Sequence, residues 1–166
     1  MHIMIATDGS LDVDKTVTFG SRLAGADDTV TVYTAVEVPR GMLADMRDAA
    51  TQMIDYTVEY RTEQAETSGP SDPWIGDDAV LSAYIGSKVK DRTSDLVAAL
   101  EAAGLHPEVV GEEGENAATS ILAATEERQV DVLCIGTRGA GLFDGLLGSI
   151  STKITRLAPC PVLLIR

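Results

Sequence analysis

The sequence predicts an α/β fold: a doubly wound three-layer sandwich built on a five-stranded parallel sheet of strand order 3-2-1-4-5. Three observations predict it. Apolar, often β-branched runs of strand length recur five times, separated by segments whose apolar residues follow helical spacing. The first strand, helix and second strand are joined by short connections, which makes a βαβ unit and requires parallel pairing. The most continuous apolar run, Val130 to Ile135, reads as a central strand buried on both faces.

Taken in order, His2 to Thr7 reads as the first strand, ending at Thr7-Asp8-Gly9-Ser10. Ser10 is the expected N-cap of the first helix, with Asp12 and Asp14 at its positive end. Val13, Val17, Gly20, Leu23 and Ala24 recur at helical spacing, Gly25 is expected to close the helix, and Asp27-Asp28 makes a turn. Thr29 to Val36 is a β-branched second strand. Leu43, Met46, Ala50, Met53, Thr57 and Tyr60 predict an amphipathic helix, and residues 66–73 a turn-rich linker. Trp74, the sole tryptophan, is either a packing anchor or part of an interface.

A long helix follows from about Ala79 to Ala103, with Val89, Leu96, Leu100 and Ala103 on one face and Gly104 as its stop. Pro107 to Val110 reads as a short edge strand, Glu112 to Glu115 as an acidic loop. Asn116 to Arg128 reads as a helix with Ile121 and Leu122 turned inward. After Val130 to Ile135 come a glycine loop, a helix from Ile150 to Leu157, and a last strand from Pro161 to Ile165. No internal repeat or boundary is visible, so residues 1–166 are expected to form one domain with a long insertion at about 40–90.

Charge narrows the function. With 26 acidic and 13 basic residues the net charge is −13, a field that repels nucleic acid and anionic membranes. Neither is expected as a partner. An acid-rich, lysine-poor surface of this kind suits high ionic strength, where salt screens the self-repulsion. No apolar run approaches the ~20 residues of a bilayer span, and Met1-His2-Ile3-Met4-Ile5 enters a strand directly, so the chain reads as the mature start of a cytoplasmic protein. Cys134 and Cys160 have no metal or CxxC spacing, and His2 and His106 have no partner constellation. No metal site, and no nucleophile–base pair for catalysis, can be read.

The loop after the fourth strand carries five glycines between Gly136 and Gly148, 13 residues in all. Glycine buries no side chain, so its use here is to let backbone amides turn toward a ligand. Between a strand and a helix N-terminus, such a loop is an anion cradle. It is not a P-loop, because GxxxxGK[ST] is absent, nor a dinucleotide fingerprint, which belongs after the first strand. In the 3-2-1-4-5 order, strands one and four lie side by side where the winding reverses, and ligands bind beyond their carboxyl ends. The loop and Asp8 therefore converge. Asp8 either accepts hydrogen bonds from a ribose or an adenine edge, or it caps the first helix or braces the loop.

These residues resemble the universal stress proteins. Ala6-Thr7-Asp8-Gly9-Ser10 is similar to that family's opening, and Ala158-Pro159-Cys160-Pro161-Val162-Leu163-Leu164-Ile165 to its ending. The family's nucleotide pattern, Gly-x2-Gly-x9-Gly-Ser/Thr, is nearly met by Gly136, Gly139, Gly148 and Ser149, with eight residues between Gly139 and Gly148 in place of nine. The resemblance covers 1–36 and about 105–166 and is weak over 40–90. It implies ATP or another adenine nucleotide, with Mg²⁺ or Mn²⁺ left open as companion. Ala6, Thr7 and Asp8 would contact the adenosine, and the backbone of Ala35 the adenine. Gly136, Arg138 and Gly139 would line ribose and phosphates, while Gly148, Ser149, Ile150 and Ser151 would offer amides and hydroxyls. The resemblance also implies a homodimer through the last strand, 162–165.

The leading expectation is thus a homodimeric, adenine-nucleotide-binding stress-response protein with a regulatory ligand and at most slow hydrolysis. The alternative is a member that does not bind ATP and acts through an unidentified protein partner, which the shortened loop favours. A third, an adenylyl-transferring enzyme, lacks the SGGxDS-type loop after strand one that such enzymes carry.

Overall fold

The computed structural model describes residues 1–39, 41, 77–137 and 147–166. The chain divides into two compact units, Met1–Glu37 with Ile85–Arg166, and Val38–Tyr84. The first unit holds the whole sheet. Of the second, the described part is residues 38, 39 and 41 and the start of a long helix. The helix expected over 43–60, the linker at 66–73 and Trp74 lie outside the described residues.

The elements run β1 (His2–Ala6), α1 (Val13–Leu23), β2 (Thr29–Val36), α2 (Asp77–Ala102), β3 (Glu108–Glu113), α3 (Ala117–Glu127), β4 (Val132–Gly136), α4 (Ser149–Leu157) and β5 (Val162–Ile165). The sheet is parallel throughout, in the order β3-β2-β1-β4-β5, as the sequence predicts. Strand alternation splits the core in two. Ile3, Ile5, Val30, Val32 and Cys134 face Leu96 and Leu100 of α2 and the apolar side of α1. Met4, Ala6, Tyr33, Leu133 and Ile135 face Ala118, Ile121 and Ala124 of α3 and Ile154 of α4. That is the three-layer sandwich. Ile3, Met4 and Leu133 have no exposed surface at all, and each such side chain stabilises the fold by about 1.5–3 kcal/mol.

Most boundaries fall within two residues of expectation, and at four places the contacts explain the difference. The N-cap of α1 is Asp12, whose side chain accepts from the Lys15 amide at 3.0 Å, and Ser10 belongs to the preceding turn. Asp8 holds Ser10 there, its Oδ1 accepting from the Ser10 amide at 3.0 Å and hydroxyl at 2.5 Å. The C-cap of the same helix is Ala24. Gly25 lies one residue on and donates its amide to Asp28 Oδ2 at 2.7 Å.

The third difference is at β3, which runs on through Glu112 and Glu113, pairing them with Ala35 and Val36. An edge strand tolerates acidic residues, and Glu112 is also useful inward, accepting the Tyr33 hydroxyl at 3.0 Å with Arg128 at 3.8 Å. Burial, then this bond, raises the Tyr33 pKa above the usual phenol range. Lastly, β4 starts at Val132, because the Val130 amide bonds the Thr125 carbonyl to finish α3. Gln129, at φ 52°, makes that reversal. The two histidine nitrogens of His2 meet the Arg128 carbonyl and the Thr31 hydroxyl, a brace between α3's end and β2.

Candidate functional site at the carboxyl ends of β1 and β4

Beyond the carboxyl ends of β1 and β4 lies an open cleft, where the winding of the sheet reverses. Of the residues the sequence singles out, Ala6, Thr7, Asp8, Ala35, Gly136, Ile150 and Ser151 line it. Gly148 stands at its edge as the N-cap of α4, and Ser149 lines a separate groove on α4 with Lys153 and Arg156. Arg138 and Gly139 lie outside the described residues.

Backbone geometry explains the cleft. The last rung between β1 and β2 runs from the Thr7 amide to the Tyr33 carbonyl at 2.9 Å. The Val36 carbonyl faces β3, accepting from Gly114, so ladder alternation turns the N–H and C=O of Ala35 toward β1. There β1 has already ended, and among the described residues the Ala35 amide meets no acceptor. The chain instead turns through Gly9, at φ +92°, whose amide donates to the Thr7 hydroxyl at 2.9 Å. Only glycine adopts that conformation cheaply. Asp8 is carried at the tip, one carboxylate oxygen bracing Ser10 and the other without a partner among the described residues. Asp8 therefore braces the loop and does not cap α1, whose N-cap is Asp12, while it lines the cleft with a carboxylate oxygen to spare.

The opposite wall is the first turn of α4. The Gly148 amide donates to the Thr137 carbonyl at 2.9 Å, and Thr137 in turn donates to Ile165 at 2.9 Å, so the two ends of the glycine loop are tied together and to β5. The first intrahelical bond is Thr152 to Gly148 at 2.8 Å. The amides of Ser149, Ile150 and Ser151 are therefore the donors the helix cannot use itself, at its positive end. Gly148 has no side chain to cap them. The Ser151 hydroxyl, which the family resemblance would aim at a phosphate, donates to the Gly136 carbonyl at 2.7 Å and is buried. It fixes α4 on β4, leaving its amide for a ligand. An anion fits this turn on these grounds alone.

Sequence reading missed the apolar floor and one cation. Leu11, Ala117, Ile121, Ile135 and Ile154, with Ser10, complete the lining, and the apolar ones make a surface suited to the flat face of an aromatic ring. Of these, only Ile121 was read as inward-facing on its helix; helical periodicity marks core, not which core residue borders a cleft. Arg92 of α2 donates from Nη1 to the Ala35 carbonyl at 2.7 Å. Its signal was a charge set among Val89, Leu96 and Leu100 on the inward face of a helix. Among the described residues no cluster of three or more His, Cys, Asp and Glu is arranged to hold a metal ion, and no helix is long and apolar enough to cross a membrane.

A parallel, doubly wound sheet with an open cleft between a helix N-terminus and a carboxylate at the switch point defines an α/β sandwich of the doubly wound class. The model of the universal stress protein family matches residues 1–166, and the chain belongs to that family. Over 64 residues it is 39% identical to the universal stress protein YxiE of Bacillus subtilis, a stretch covering 38% of this chain and 43% of that one, less than half the relative's length. The fold is shared with UspA of Lactobacillus plantarum, with TM-score 0.59 and 17% identity over 100% of this chain and 97% of that one. It is shared too with a universal stress protein of Archaeoglobus fulgidus solved with dAMP, with TM-score 0.54 and 18% identity over 100% and 98%. Two others of this fold were solved with cAMP and, from Arabidopsis thaliana, with AMP, at TM-scores 0.58 and 0.54.

Proposed function

We propose that the chain is a cytoplasmic stress-response protein that binds an adenine nucleotide as a regulatory ligand in the cleft between β1 and β4. The observation that carries this reading is the pairing of opposite chemistries across one cleft. The free first-turn amides of α4 suit a phosphate, the Asp8 carboxylate suits ribose hydroxyls, and the exposed backbone of Ala35 with the apolar floor suits a base. Family membership and the nucleotides held by dAMP-, cAMP- and AMP-bound relatives of the same fold support it. ATP, with Mg²⁺ or Mn²⁺ brought in by its phosphates, is the extended form of the same ligand. Gly136, Arg138 and Gly139 would then follow the ribose and phosphates.

Calorimetric titration with AMP and with ATP, with and without Mg²⁺ and at high salt, is the test. Heat and a thermal upshift are expected; their absence at millimolar nucleotide defeats the reading. The loop of eight residues between Gly139 and Gly148 favours a second reading, in which the protein acts through a protein partner without ATP. Binding of AMP but not ATP would point to that branch. We also propose a homodimer through β5. Among the described strands it is an edge, bonded on one side only, with Val162, Leu163 and Leu164 half-buried. Light scattering that reports a monomer at micromolar concentration would contradict it.

A further inference from the structure

Arg92 does not itself line the cleft, but it reaches from α2 the Ala35 carbonyl, the backbone acceptor that the proposed base subsite would use. Its Nη1 donates to the Ala35 carbonyl at 2.7 Å and reaches the Thr34 hydroxyl at 3.5 Å. In a chain with 26 acidic residues it has no carboxylate partner among the described ones, although it is half-buried. Its backbone is fixed under the Asp8 turn, since a Cβ added at Gly9 would lie 3.3 Å from the Arg92 Cα. The guanidinium is therefore directed to a carbonyl, and among the described residues its remaining N–H groups meet no acceptor.

Ala35 alone would offer a base one donor and one acceptor, N–H and C=O, side by side. Adenine matches that pair with a ring nitrogen and its 6-amino group. Capping the carbonyl with a cation changes the pair. A second lone pair remains on the oxygen, so adenine is still admitted, but a positive group now stands where amine hydrogens must approach. A 6-oxo purine presents two adjacent acceptors, O6 and N7, which is the edge that arginine donors match. We propose that Arg92 is a specificity-determining residue of the base subsite, making it accept 6-oxo purine nucleotides at least as well as adenine nucleotides. This rests on the nucleotide reading of the cleft given above.

The test is the ratio of dissociation constants for IMP and AMP, measured by calorimetry on the full chain. The unaltered protein should bind IMP as tightly as AMP or tighter. Arg92→Leu, which keeps an apolar stem and removes the donors, should shift the ratio about tenfold toward AMP, and Arg92→Lys should shift it less. Arg92→Met serves in the same role if the leucine variant does not fold. A ratio that is unmoved by either variant, or a tenfold AMP preference in the unaltered protein, overturns this inference while leaving nucleotide binding intact. Binding of neither nucleotide overturns the nucleotide reading and this inference with it.

Discussion

Replacing Ile150 by Asp or by Asn separates the anion site from the fold. Ile150 is the second residue of α4, lines the cleft and is 44% exposed, so either polar side chain is accommodated. The two variants have the same shape and differ by one charge. At about 6 Å from a phosphate dianion, in a dielectric between that of water and that of a protein surface, the added carboxylate costs binding about 1–3 kcal/mol. That is a loss of about 5- to 150-fold in affinity for AMP relative to the Asn variant. The same carboxylate at a helix N-terminus stabilises the folded chain by about 0.3–1 kcal/mol, or about 1–4 °C for a domain of this size. Affinity and stability must therefore move in opposite directions. Titration of AMP and of adenosine, with thermal melts of both variants, reads this out; adenosine, lacking the phosphate, should bind both alike. The affinity gap should narrow as salt is raised. Equal AMP affinity in the Asp and Asn variants at low salt would refute the α4 terminus as the phosphate subsite.

Other expectations concern the scaffold. A Cβ at Gly111 would stand 2.0 Å from Val89 Cγ2, with Val89 Cβ and Cγ1 at 3.2 and 3.3 Å, so rotating the valine only exchanges one clash for another. Gly111→Ala should cost about 1–3 kcal/mol, and adding Val89→Ala should recover most of it, as a double-mutant cycle by denaturation will show; additive losses would contradict the contact. Asp12 is held below the usual aspartate range by the Lys15 amide and ammonium. Its contribution is thus present above the unfolded-state value and is lost as pH falls through the lowered folded one. Asp12→Asn should keep the cap at pH 7 and flatten the acid limb of the stability profile, measured by denaturation between neutral pH and pH 3. Burial pushes the Cys134 thiol up to about 11, so at pH 8 a thiol reagent followed by mass spectrometry should label the half-buried Cys160 first and Cys134 only on unfolding.

Much of this architecture was legible because it follows from periodicity. The β-branched run Thr29–Val36 matches β2 residue for residue, and the strand order is the common doubly wound one that the sequence reading adopts for five alternating strands. What was not legible depends on partners distant in the chain. Glu112 and Glu113 read as loop until the edge position of β3 and the hydroxyl of Tyr33 give them a place. Ser10 is as good a cap as Asp12 by residue type, and only the turn built by Asp8 decides between them. Within the site, the glycine loop and Asp8 were visible as motifs. Arg92 was not, since one charge among several on a long helix reads as solvated surface, although it shares the face of Val89, Leu96 and Leu100, until the carbonyl of Ala35 is found beside it.

The bond between the Gly148 amide and the Thr137 carbonyl ties together the two ends of the segment between them. Because the two anchor points are fixed by β4, β5 and α4, removing one residue from a loop of about ten changes closure entropy by only about 0.1 kcal/mol. The sheet does not register the difference. Loops of other lengths and sequences placed between Thr137 and Gly148 are expected to leave the sheet unchanged, so this position offers a socket for altering the mouth of the cleft without re-engineering the fold.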